Sequence, residues 1–213
     1  MFRYRLQFAK TTAMRFTGHL DLFRAWERTI RRANLPLAYT QGFSPHPRLN
    51  LASALPLGFT SDAEVLDLWL TEEFSPAEIS ARLAQAIPPG IQINSIEPVD
   101  LHQAALQTCV THAGFTVTLL DPIDHLAEIV ASLLASESIP RVRRNKAYDL
   151  RPLIESIWLL PEDENDRQQL AVLLSAREGA TGRPEEVLEA LGIPAYTALV
   201  HRTALIFSES QTT

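Results

Sequence analysis

The sequence predicts an α+β protein built as two tandem ferredoxin-like (βαββαβ) domains, over residues 1–100 and 108–213. Three observations predict it. The hydrophobic period changes from two to that of a helix within the first 33 residues. The order strand–helix–strand–strand–helix–strand is complete by residue 96, and it returns after residue 110 without any repeat of residues.

The first strand is marked by Phe2, Tyr4, Leu6 and Phe8 alternating with Arg3, Arg5 and Gln7. Phe23, Trp26, Ile30 and Ala33 then fall on one helical face, so a helix runs over 18–33, with Gly18 as N-cap, Asp21 in its first turn and Pro36 beyond its end. A Pro-rich loop, "YTQGFSPHPRLN", leads into a short strand over 49–54, and "VLDLWL" forms the third strand. "SPAE" is a capping box with Pro at the first helical position; it opens a helix through residue 87, and a fourth strand covers 91–96.

The linker is expected at 98–108. A strand over 110–120 follows, and "DPID" is expected to cap a helix carrying Ile123, Leu126, Ile129, Val130 and Leu133. Residues 157–160 and 169–176 supply the central strands. "RPEEVLEALG" is a short helix ended by Gly192, and 199–207 closes the series.

Composition narrows the functional classes. The chain has 213 residues, 46% hydrophobic and 21% charged, which is globular usage. It has no apolar run of roughly 18 residues and no secretory h-region, so it is expected in the cytoplasm and away from membranes. Cys109 is the only cysteine, which excludes an internal disulfide, a thiolate zinc ribbon and an iron–sulfur cluster held by this chain alone. No cofactor and no metal site is expected in the chain.

The net charge is −6, yet residues 1–50 hold nine basic residues against Asp21 and Glu27. Arg24, Arg28 and Arg31 recur along one helical stripe with Arg32 beside them, facing away from Trp26 and Ile30. Phosphates would supply the missing counter-charge, and guanidinium suits bidentate phosphate contacts. In the following loop Tyr39 and Phe43 can stack a base, while His46 sits between two prolines with Arg48 two residues on. A second basic segment, "PRVRRNKAYDLR", holds Arg141, Arg143, Arg144 and Lys146 with Tyr148 interleaved, which suits RNA loops. The alternative for either segment is an ordinary solvated surface.

Two further chemistries are open. His19 at the helix start and His46 in the loop would serve a metal-independent endoribonuclease, with Arg48 stabilising charge. His19 with Asp21 is too sparse to define a metal site. Gly179 and Gly182 precede a helix start able to receive phosphate, but Glu185 and Glu186 occupy its positive end. No P-loop, dinucleotide fingerprint, nucleophile elbow or two-His zinc motif is present.

The block "RFTGHLDLFRAWERTIRRANLPLAYTQGFSPHPRLNLASALPLG", followed by "DLRPLI" and "GATGRPEEVLEALG", resembles the radical-SAM-linked protein family. This is a bacterial domain of uncharacterised function fused to or encoded beside a radical SAM module. Members usually carry Ser where this chain has Gly18, so a hydroxyl role does not transfer. The partner module carries the three-cysteine cluster motif, which this chain lacks. The resemblance therefore implies an accessory protein without catalytic activity of its own, working with a radical SAM protein. The layout also resembles RNA-processing proteins of CRISPR systems, in element order only.

The combined reading is an RNA-binding accessory that presents tRNA or rRNA to a radical SAM modification enzyme. The alternatives are the endoribonuclease, or a protein-interaction module that docks a radical SAM subunit.

Overall fold

The computed structural model describes residues 1–208. The chain has a mixed α+β architecture and divides into two compact units, Met1–Cys109 and Val110–Ser208.

In the first unit β1 (Phe2–Lys10) is followed by α1 (His19–Arg32), β2 (Leu49–Leu51), β3 (Thr60–Leu70), α2 (Pro76–Ala84), β4 (Ile91–Val99) and a single turn, α3 (Leu106–Cys109). The sheet order is β4-β1-β3-β2, with every neighbour antiparallel. Tyr4, Leu6 and Phe8 of β1 join Leu66, Leu68 and Leu70 of β3 on one face, where α1 and α2 cover them. Helix α1 buries Leu22, Trp26, Thr29 and Ile30, a stripe centred one residue earlier than Phe23 suggested, and Phe23 itself is only partly buried. Trp26 meets Phe8 edge-on, with ring centroids 4.9 Å apart.

The helix ends before Pro36. Asn34 adopts the left-handed conformation (φ 53°), its N–H donates to Arg31 O, and the Leu35 N–H donates to Ile30 O, a Schellman closure. Helix α2 opens on the expected capping box, Ser75 with Glu78, but stops at Ala84.

The second face of this sheet, where the alternation puts Arg3 and Arg5, holds buried charge. Arg3 is only 3% exposed, and Asp67, fully buried, lies opposite Arg5 in the β1–β3 register. Arg5 grips Asp67 with Nε (2.8 Å) and a terminal nitrogen (3.0 Å), and Arg3 donates to the same carboxylate through Nε (3.0 Å) and its own terminal nitrogen. The remaining donors of Arg3 reach the carbonyls of Gln103 (2.7 Å) and Ala104 (3.0 Å). Residues expected to be linker are thus pinned over the sheet by one guanidinium. Lys10, also buried, donates to Phe59 O at 2.9 Å.

The second unit contains β5 (Val110–Leu119), α4 (Leu126–Ala135), the hairpin β6 (Pro140–Arg143) and β7 (Lys146–Asp149), then β8 (Ile154–Leu160), β9 (Gln169–Arg177), β10 (Ala180–Thr181), α5 (Pro184–Ala190) and β11 (Ala198–Phe207). Its sheet runs β11-β5-β9-β8, with β10 also on β9.

Two local expectations are corrected here. "DPID" does not cap α4, which begins after His125 in a left-handed conformation (φ 57°) with no side-chain cap. Ile123 lies outside the helix, held by the Gln168 amide through both its N–H (2.8 Å) and its C=O (3.1 Å). The second basic segment forms a hairpin of its own, because Arg144 and Asn145 both take positive φ (50° and 62°) and make the two-residue turn.

A buried carboxylate shared by two arginines is costly to break. The Asp67→Asn variant is expected to lose about 3–5 kcal/mol, since Arg3, only 3% exposed, keeps its charge and loses its carboxylate. Urea unfolding checks this, and a loss below about 1 kcal/mol would overturn the assignment.

Candidate nucleic-acid interface

The Pro-rich loop is a small hairpin at the edge of the first unit's sheet. The Ala38 N–H donates to Trp69 O (2.7 Å), the Arg48 N–H to Ala38 O (2.8 Å), and the Trp69 N–H to Arg48 O (3.1 Å). Further out, the Thr40 N–H donates to His46 O (2.8 Å) and the His46 N–H to the Thr40 hydroxyl (2.9 Å), with Tyr39 bridging Pro47. Pro45 and Pro47 limit the freedom of the returning arm. Gly42, at φ 133°, makes the apex turn, and Phe43 beside it is fully exposed. Phe43 therefore does not anchor the hairpin in the core. Its ring is presented to solvent by a framework that already satisfies its own backbone.

Helix α1 holds this hairpin through Arg31. Its Nε and a terminal nitrogen donate to the Tyr39 hydroxyl at 3.1 and 2.7 Å, and Glu27 pairs with it at 2.7 Å. The Tyr39 hydroxyl and then Glu27 raise the Arg31 pKa further above its ordinary value, so its charge is permanent. Arg24 is loosely paired with Asp21 at 3.3 Å, both side chains being exposed. Arg28 and Arg32, both exposed and one turn apart, have no ion-pair partner among the described residues. Arg32 also lines a shallow cleft with Arg82, which stacks on Phe74 at 4.6 Å and donates to Asn34 O. All four predicted helix arginines are exposed, and two of them already have acidic partners.

The two histidines are set apart. His19 is the first residue of α1, whereas Tyr39 at the hairpin base meets Arg31, twelve residues along that helix. At 1.5 Å per residue this is roughly 18 Å of helix. His46 is exposed beside Thr40, at the hairpin end of α1.

The second basic segment is also partly self-neutralised. Arg143 donates to Glu186 through Nε (2.9 Å) and a terminal nitrogen, to Thr181 O (3.1 Å) and to the Tyr148 hydroxyl (3.3 Å), and it lies 4.9 Å from the Tyr148 ring centroid. Tyr148 is thus covered by an arginine of its own strand pair. Arg141 is half-buried and donates to Pro140 O, while Arg144 and Lys146 are exposed around the turn. Glu186 serves as the counter-ion of Arg143. Burial pushes the Glu185 carboxyl up, and one of its oxygens is buried without a hydrogen-bond partner among the described residues.

Residues that sequence reasoning passed over sit beside the hairpin. Trp69 is nearly buried, and the guanidinium carbons of Arg3 and Arg48 both lie 5.1 Å from its ring centroid. The signal was present in "VLDLWL": Leu66, Leu68 and Leu70 claim one face, which leaves Asp67 and Trp69 facing Arg3 and Arg5. Among the described residues no group of three His, Cys, Asp or Glu forms a metal cluster, and no helix is long and apolar enough to cross a membrane.

These features define an α+β protein with an arginine-bearing helix and an aromatic-tipped hairpin on its first unit. Residues 3–184 match a family described as an uncharacterized protein conserved in bacteria (DUF2344), and the chain belongs to that family. No curated protein matches the sequence. Among solved structures, a chain of a Cbf5–Nop10–Gar1 complex superposes with a TM-score of 0.53 at 11% identity, over 98% of this chain and 51% of that one. A chain of the archaeal box H/ACA sRNP Nop10–Cbf5 complex gives a TM-score of 0.47 at 12% identity, over 98% and 50%. The chain thus spans about half the length of these structures. At such identity the likeness is one of fold alone.

The Arg143–Glu186 pair makes a pH prediction. Burial pushes the Glu186 carboxyl up, but hydrogen bonds from Arg143 and Tyr148 outweigh this and hold it below its ordinary value of 4.5. A depressed folded pKa gives stability that is present above the unfolded value and lost as pH falls through the folded one. The urea midpoint of wild type should therefore exceed that of Glu186→Gln at neutral pH. The gap should close as pH drops below 4.5. A gap constant with pH would show that the pair contributes nothing.

Proposed function

We propose that this chain is an RNA-binding accessory protein that presents a structured RNA, such as tRNA or rRNA, to a modifying enzyme. One observation carries the reading: Arg28 and Arg32 stand unneutralised on the outer face of α1, on the helix whose Arg31 holds the hairpin that exposes Phe43. Two guanidinium groups one turn apart can follow a phosphate backbone, and a presented aromatic ring can stack an unpaired base. Like charges at this spacing do not stabilise a helix on their own account. Arg24, Arg31, Tyr39 and His46 extend this surface, Arg48 lies on the Trp69 side of the sheet, and Arg141, Arg143, Arg144 and Lys146 form a second basic strip on the other unit.

In this reading the chain needs no cofactor of its own and does no chemistry alone. The partner is a radical SAM protein in the cytoplasm, on the strength of the sequence resemblance. The strand order of each unit, with the fourth, first, third and second strands side by side, supports reading the chain as two ferredoxin-like units. The fold is shared with a chain of a multi-protein complex, a setting that suits an accessory role.

Titration with bulk tRNA and rRNA fragments at several salt concentrations tests the proposal. Wild type should bind with a steep salt dependence, and Arg28→Ala/Arg32→Ala should bind more weakly, with the slope of log K against log salt reduced by roughly 1.5–2. Absence of binding at low salt would sink the RNA reading.

A further inference from the structure

Behind the hairpin, on the sheet face opposite α1, lies a cleft of about 400 Å³ walled by Thr40, Arg48, Asn50, Trp69 and Gln103, with Arg3 at its floor. That volume lies within the roughly 300–1,000 Å³ of small-ligand sites. None of its lining residues is acidic. Asp67 beneath it is shared by Arg3 and Arg5, so the buried triad carries one net positive charge. Arg48 adds a second. Its guanidinium touches Met1 Sδ (3.1 Å) and the Trp69 ring, and no carboxylate pairs with it among the described residues.

A part-exposed guanidinium held against an indole, with no carboxylate on it, is available to an anion. The side-chain amides of Asn50 and Gln103 are also unengaged among the described residues, and each offers a donor and an acceptor. A larger cleft nearby, about 810 Å³, mixes Glu73 and Asp100 with Arg3 and His102 and so has no single sign of charge.

We infer that the Arg48–Trp69 cleft binds a single nucleotide, with its phosphate on Arg48 and its base edge read by the Asn50 and Gln103 amides. The ligand chemistry, a phosphate joined to a planar hydrogen-bonding base, has two sources: a free mononucleotide, or one unpaired nucleotide of an RNA strand. The second source rests on the function proposed above and would make the cleft the place where that strand is held. Asn50 lies within the pairing of β2 with β3 and Arg48 just precedes it, so both come from the sheet edge rather than from the hairpin tip. The site is therefore formed before any ligand arrives.

The test uses the full chain labelled with ¹⁵N, following the indole N–H signal of Trp69, identified by its loss in Trp69→Phe. The four nucleoside 5′-monophosphates, the matching nucleosides, inorganic phosphate and a short single-stranded RNA are titrated in turn. Saturable movement of that signal by a mononucleotide supports a free nucleotide, and movement by the RNA alone supports a strand nucleotide. In either case Arg48→Gln should weaken binding about 10- to 100-fold, the span of a lost charged hydrogen bond. Asn50→Asp, nearly isosteric but anionic, should abolish it.

The inference is overturned if nothing moves the signal, if both variants bind like wild type, or if inorganic phosphate matches the nucleotide in affinity. RNA binding lost in Arg28→Ala/Arg32→Ala but indifferent to Arg48→Gln and Asn50→Asp would sink the cleft alone. A mononucleotide that binds where no RNA does would sink the RNA reading alone.

Discussion

The Asp67 carboxylate, buried between two arginines, is the constraint on which the first unit depends. A charged group taken wholly out of water must be matched by charge and hydrogen bonds, and Arg3 and Arg5 match it from the facing strand. A one-residue slip of β1 against β3 would carry both arginines to the apolar face and leave Asp67 unpaired. The ion cluster thus sets the register that also aligns Tyr4, Leu6 and Phe8 with the leucines of β3. The same Arg3 holds the carbonyls of Gln103 and Ala104, which brings that segment down over the sheet and closes one side of the Arg48–Trp69 cleft.

This arrangement changes the meaning of the basic N-terminal region. Of its nine cations, Arg3, Arg5 and Lys10 serve the interior, and Arg24 and Arg31 have acidic neighbours one turn away. The charge left for a partner is smaller than the count implies, but it is better placed. Arg28 and Arg32 lie on the rigid outer face of α1, and Arg31 ties that helix to the hairpin through Tyr39. Helix and hairpin are thus joined by the Arg31–Tyr39 contact, which places the two parts of the surface side by side. The basic hairpin of the second unit is different. There Glu186 and Tyr148 absorb Arg143, and only the turn around Arg144 and Lys146 remains open.

Local structure was legible wherever its cause lies within a few residues. The alternation in 2–8 marks a strand, the Ser75–Glu78 pair starts a helix, and Gly192, at φ 78°, follows α5 as its pattern requires. Readings failed where the cause is tertiary. "DPID" has the composition of a helix cap, yet Gln168, far along the chain, takes both backbone groups of Ile123 and delays α4. In the second basic segment, positive φ at Arg144 and Asn145 closes a hairpin whose Arg143 finds Glu186, 43 residues away.

By itself the sequence determined the α+β character, the order of elements in the first unit and the basic stripe of α1, because period, capping and helical spacing are short-range properties written in neighbouring side chains. Only the tertiary structure decided which charges are interior and which are available, since a strand's polar face is defined by what covers it. It also decided that Phe43 points outward and that Arg48, Asn50 and Trp69 share a cleft with Gln103. Those residues come from separate segments, and strand pairing, a long-range choice, is what brings them together.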